Sequence, residues 1–328
     1  MIMKKISFLL LSLSLLTLAP LWGQRVNENY PFLSYWDFKI RNAPDSIDCR
    51  YYPNNELFLS GFDTDGKGTF YFAGGNPLRV SCFKGTELQW RRKVSDVHTR
   101  RALFRLRGDS LYLVHDQTHE LIVLSKDGTG DVHRVKLATD DIDEGVMHEN
   151  YFVVRDKGFR DKKFNLLYNW RTRQYKVSFF NYRGELAWTD EMRREYSIAM
   201  MRPLPYVPKL YANTPPRYYS KYYKGMFRDM HLFVDEGVGR FILTELGEIQ
   251  YSCIVPNGGV NFSVLPLQAL NDEIDIESHY PSPEGNILRG THYYYVGYEG
   301  KNNRLMVVDI DLDKMFPEAK DWIKKKMN

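Results

Sequence analysis

Eight histidines occur in the chain, and two of them, His115 and His119, stand four residues apart. On a helix that spacing would turn both imidazoles toward one metal ion. Here the pair straddles a strand-to-turn junction where the rings need not converge, so no metal or other cofactor is called for. The run from Asp63 through Asp65 to Gly68 resembles a calcium loop but supplies only two carboxylates for an oxygen cage; it reads as a solvated hairpin. The densest acidic run is Asp140, Asp141, Asp143 and Glu144. Glycoside hydrolysis needs two carboxyls held roughly 5–10 Å apart across a cleft, and neighbours on one loop do not provide that. No nucleophile elbow, phosphate loop or dinucleotide fingerprint occurs in a suitable context.

Binding chemistry is better represented. The stretch 200–227 carries five prolines, at 203, 205, 208, 215 and 216, among Tyr206, Tyr211, Arg217, Tyr218, Tyr219, Tyr222 and Tyr223. Tyr and Arg are the residue types that anchor interfaces, and Tyr also stacks on sugar rings. The same tyrosines could instead pack the stretch back onto the body of the protein. Prolines break helix and sheet ladder alike, which makes 200–227 a long irregular excursion.

What positions this excursion is a repeat. An apolar strand, a polar turn, a second apolar strand, a tight turn and a third strand recur from Thr69, Ser110, Phe164, Met230 and His292. The tight turn holds Gly85, Gly128, Gly184 and Gly247, and in the fifth copy falls without glycine near Asp311. Glycine suits short hairpin loops because it accepts positive φ. Units of three or four short strands repeated every 40 to 65 residues or so are the pattern of propeller blades. The expected fold is therefore all-β, a β-propeller of six blades, with seven as the alternative and a sandwich as the competing architecture. The strand-like runs within 30–52 and 260–278 would either add a sixth blade or close the ring by pairing the N-terminal strand with the C-terminal blade, which removes exposed edges. Residues 317–327 read as one short basic helix capping the surface.

Lys4 and Lys5 precede an apolar run from Ile6 to Ala19 and a small-residue exit at Gly23. That is the layout of a secretory signal over 1–23, too short and too often interrupted by Ser and Thr to span a bilayer. Residues 24–328 then form a single propeller domain, long enough to bury a large core. Cys49, Cys82 and Cys253 are an odd number for an exported chain and read as small buried hydrophobes in preference to a disulfide. The net charge of +4 falls by two with the signal lysines, and acids and bases are mixed throughout, unlike the one-sided basic footprint of a nucleic-acid binder.

With its Met3-Lys4-Lys5 start, its Gly23-Gln24 exit, the turns at 182–186 and 246–249 and its length, the chain resembles the exported six-bladed β-propeller proteins of Bacteroidetes. It lacks the lipobox cysteine that many of them carry. The resemblance implies a compartment, periplasmic, outer-membrane-associated or secreted, and a fold, but no reaction. Function would sit on the loops of such a scaffold. The leading expectation is a binding or scaffold protein that contacts a protein or glycan partner at the envelope. The alternatives are a carbohydrate-active enzyme with its site in the central channel and a structural subunit of an envelope assembly.

Overall fold

The computed structural model describes residues 24–26, 30–40, 45–47, 50–51, 57–99, 102–139, 141–156, 174–201, 222–235, 240–254, 287–299 and 304–321. These residues build five antiparallel sheets of four or five strands, arranged as the blades of a propeller, and a two-stranded ladder of Arg50–Tyr51 with Leu57–Phe58. Blade 1 comprises Gly61–Thr64, Thr69–Gly74, Leu78–Lys84 and Glu87–Ser95; blade 2 comprises Leu103–Arg107, Ser110–His115, Glu120–Ser125 and His133–Lys136. Blade 3 holds Glu144–Met147, Tyr151–Arg155, Gln174–Asn181 and Leu186–Arg193, and blade 4 holds Tyr223–Phe227, Met230–Asp235, Arg240–Glu245 and Glu248–Ile254. The first strands of blades 1 and 2, 2 and 3, and 4 and 5 touch one another, which identifies them as the inner strands around the ring axis.

The fifth blade closes the ring. Its first three strands, Ile287–Arg289, His292–Glu299 and Arg304–Asp311, come from the C-terminal end of the chain, and its fourth, Leu33–Lys39, from the N-terminal end. The two ends pair antiparallel from Leu33 opposite Ile310 to Lys39 opposite Arg304, and Gln24–Val26 adds an outermost strand. The expectation of six or seven blades is thus corrected to five. The N-terminal run supplies the missing outer strand of the last sheet instead of a sheet of its own, while 260–278 lies outside the described residues. Copy five therefore has no third strand after Asp311: that residue caps a helix, α2 (Leu312–Met315), which continues into a 3-10 turn, Pro317–Asp321. The expected helix over 317–327 thus starts earlier and is 3-10 from Pro317 to Asp321, and residues beyond 321 lie outside the description.

Strands buried on both sides explain why so many runs are apolar at every position. In His292–Glu299, Tyr293 and Tyr295 enter a core shared with blade 4, while Tyr294 and Val296 enter a core shared with blade 1. In blade 2, Leu111 and Leu113 face blade 1, and Val114 faces blade 3. Continuous apolar clusters join blades 5 and 1, 1 and 2, 2 and 3, and 4 and 5. Between blades 3 and 4 the apolar groups among the described residues form two separate clusters instead: Val153, Val177 and Met201 on one side, Phe233 and Ile242 on the other.

Third-strand turns hold the predicted glycines at positive φ, 56° at Gly85, 77° at Gly128, 81° at Gly184 and 87° at Gly247. At two of them the ring adds a second requirement. A Cβ on Gly128 would stand 2.6 Å from the Trp90 ring of blade 1, and one on Gly184 would stand 2.7 Å from Val135 of blade 2, so each outer strand wedges under the next blade's turn. Trp90 also donates its indole N–H to the Lys126 carbonyl at 3.2 Å. Gly128→Ala is expected to cost about 1–3 kcal/mol through strained φ and overpacking; a lowered urea midpoint with unchanged slope checks it.

Candidate functional site

Asp63 lies at the inner strand of blade 1 and is 0 % exposed. Its carboxylate accepts from Arg289 of blade 5 at 2.5 Å and 3.2 Å, from the Leu106 N–H of blade 2 at 2.7 Å, and from the Thr64 N–H at 2.7 Å. Arg289 also donates to the Leu106 carbonyl at 3.0 Å. Three consecutive blades are thereby joined at one carboxylate. Asp65 has a different job: its Oδ1 accepts from the N–H groups of Lys67 and Thr69 and shapes the hairpin. The run is a hairpin, but not the solvated one expected: Asp63 is buried between blades and only Asp65 shapes the turn.

The acidic run also ends on an arginine. Arg155, buried on the second strand of blade 3, donates to Glu144 at 2.6 Å and Asp143 at 3.3 Å, reaches Ser197 Oγ at 3.3 Å and lies 4.8 Å from the centre of the Tyr175 ring. Ser197 belongs to helix α1 (Arg194–Met201), which follows the outer strand of blade 3 and lies along its face. The far end of α1 is fastened as well, since His148 Nε2 sits 2.7 Å from the Met201 carbonyl. Asp140 lies outside the described residues, and Asp141 accepts from the Ile142 N–H at 3.0 Å.

His115 is fully buried, with Nε2 3.0 Å from the Val97 carbonyl and Nδ1 accepting from the N–H groups of Gln117 and Thr118 at 3.2 Å and 3.3 Å. Nε2 must therefore carry the proton, and burial lowers the pKa of the ring and keeps it neutral. With both nitrogens occupied, His115 cannot join His119 on a metal. Among the described residues no group of three or more His, Cys, Asp or Glu is placed to hold a metal ion. Cys82 is buried and unpaired, its thiol pushed up to about 11 by burial, and Cys253 is half-buried and also free. Cys49 lies outside the described residues.

Of the binding residues read from the sequence, Tyr206, Tyr211, Arg217, Tyr218 and Tyr219 lie outside the described residues. Tyr222 and Tyr223 pack on Phe233 and Ile242 of blade 4. The Tyr223 ring stands 5.4 Å from Phe233, and its hydroxyl is 3.2 Å from His231 Nδ1. Residues 223–227 form the inner strand of blade 4 and residues 200 and 201 end α1, so the excursion leaves from one wall of the blade 3–blade 4 junction and returns on the other. An open cavity of about 560 Å³ lies where the closing strand meets blade 1, lined by Asp37, Lys39, Asp45, Thr86, Glu87 and Leu88; no local pattern signals it, because its two walls are far apart in the chain.

No family model and no curated protein matches the chain. Among solved structures it is similar to virginiamycin B lyase from Staphylococcus aureus at 12 % identity, covering 84 % of this chain and 99 % of that one with a TM-score of 0.40. It is also similar to a protein of unknown function from Bacteroides thetaiotaomicron at 11 % identity, covering 84 % and 76 % of the two chains with a TM-score of 0.38. A third is glutaminyl cyclase from Myxococcus xanthus, at 12 % identity, 84 % and 96 % coverage and a TM-score of 0.33. These neighbours are β-propellers. Likeness at this level transfers no activity. No helix among the described residues is long and apolar enough to cross a membrane.

Proposed function

We propose that the chain is an exported propeller that serves as a binding scaffold at the cell envelope, contacting a protein or glycan partner through the excursion between blades 3 and 4. One observation carries this reading: among the described residues, the carboxylates and the histidine that the sequence singled out for metal or acid–base chemistry are engaged in structural contacts. Asp63 is spent on Arg289 and Leu106, Asp143 and Glu144 on Arg155, and His115 on Val97. The excursion is the opposite case. Its return end is anchored by Tyr222 and Tyr223, and the blades on either side are complete without residues 202–220.

The test replaces 202–220 by a short Gly-containing linker joining Met201 to the return strand. Loop length alone contributes little to stability, so the shortened protein is expected to melt within a few degrees of the wild type and to lose the partner that in-cell cross-linking captures on the wild-type chain. A shortened protein that keeps that partner would overturn the assignment. Export is tested separately by N-terminal mass spectrometry of the mature chain, with Gln24 expected first and an intact Met1 contradicting the reading.

A further inference from the structure

The rim of the closing blade holds a second buried carboxylate. Asp309 is 5 % exposed, and its Oδ1 lies 2.7 Å from Nδ1 of His292 on the neighbouring strand. The carboxylate can only accept, so in the neutral ring Nδ1 carries the proton and Nε2 is left to take up a second one. The imidazole is partly open to solvent and stacks on Tyr294, with ring centres 6.0 Å apart. Charged groups reach this spot from every side. Asp311 stands opposite His292 in the ladder, Lys314 of α2 pairs with Asp311 at 3.3 Å, Asp65 of blade 1 acts on Tyr294, and Arg289, the other register neighbour of His292, is engaged by Asp63. Without an imidazolium the rim keeps a buried carboxylate beside Asp311, with Lys314 already paired.

Helix α2 hangs from the same rim. The Leu312 N–H donates to the carbonyl of Thr291, the residue before His292, at 2.9 Å. Asp311 caps the helix by accepting from the N–H groups of Asp313 and Lys314. Below the cap, Leu312, Met315, Phe316 and Ala319 seal the core between blades 4 and 5, and Arg228 of blade 4 grips Asp313 at 2.7 Å and 2.9 Å.

We infer that the His292–Asp309 pair is a proton-operated clasp that holds the C-terminal helix on the closing blade and loosens it as the pH rises. The hydrogen bond to Asp309 raises the His292 pKa above its ordinary value, against the opposing effect of burial. Burial raises the Asp309 carboxyl, with His292 pulling the other way. A histidine whose pKa is raised by folding contributes stability that is fully present below its unfolded value of about 6.5 and lost as pH climbs through the folded value.

Hydrogen exchange on the full chain, corrected for the intrinsic pH dependence of exchange, tests the clasp. Between about pH 6 and about pH 9, protection of the amides in Leu312–Met315 is expected to fall several-fold in the wild type while protection in Ser110–His115 holds. In His292→Gln, helix protection is expected to be low and flat with pH. Flat protection in the wild type would overturn the inference. So would a wild-type imidazole titration, read by NMR, with its midpoint at or below about 6.5, a measurement that does not depend on any variant folding.

Discussion

Replacing Arg289 by Met is expected to destabilise the ring by about 3 kcal/mol, because it strands the Asp63 carboxylate at a site with no access to water. The figure sits at the low end for a broken buried pair, since Asp63 keeps the N–H groups of Leu106 and Thr64 and Arg289 itself is partly solvated. Removing the charge as well, in Asp63→Asn with Arg289→Met, is expected to cost clearly less than the sum of the two single changes, because groups in one hydrogen-bonded network are not additive. Urea unfolding of the four proteins checks this, and strict additivity would mean that the two side chains do not form a coupled pair.

A loss of comparable size or larger is expected from Trp36→Ala, at about 3–5 kcal/mol. Trp36 lies on Leu33–Lys39 and is 2 % exposed, edge-on to Phe70 of blade 1 at 4.8 Å. Beside it Phe38 meets Phe70, Phe72 and Phe83 at 5.7, 5.1 and 5.3 Å. The N-terminal strand thus completes blade 5 through its backbone and the blade 5–blade 1 core through its side chains. Trp188, exposed on the outer strand of blade 3, is the control: its replacement by Ala removes the Phe179 contact at 5.1 Å and is expected to cost well under half as much. Equal losses at the two tryptophans would contradict ring closure by the N-terminal strand.

The fold was legible where local chemistry carries it. Gly85, Gly128, Gly184 and Gly247 mark hairpins because each turn needs positive φ, and all four adopt it. The one copy without that glycine, at Asp311, is the copy without the hairpin: Asp311 caps a helix there instead. The blade count failed because the chain order of a strand does not say which sheet it joins: the run containing Trp36 and Phe38 reads equally well as the start of a new blade or the last strand of an old one. In the third copy Gln174–Asn181 pairs with Tyr151–Arg155, and the run 164–173, which the repeat predicts as a strand, lies outside the described residues.

The charged groups were legible as residues but not as pairs. Asp63 and Arg289 are 226 positions apart, and nothing in either local sequence signals the other. Arg155 is nearer to Asp143 and Glu144, yet the pairing depends on the hairpin that sets Glu144 opposite Arg155 in register. At His115, whose position at a strand-to-turn junction was legible in the sequence, the strand and turn use both ring nitrogens for the backbone. Gly61 and Gly145 were silent as well, although a Cβ on either would strike Phe104 or Leu103 of blade 2, so their size is set by the neighbouring blade.

Scanning calorimetry of the wild type and of Trp36→Ala tests ring closure most directly. A ring closed by its N-terminal strand unfolds as one unit, so the calorimetric and van't Hoff enthalpies should agree, and the whole transition should move down by roughly 5–10 °C in the variant without splitting. A variant in which part of the heat absorption stays at the wild-type temperature while a smaller peak moves away would show that the remaining blades fold without the closing strand, and would contradict the account.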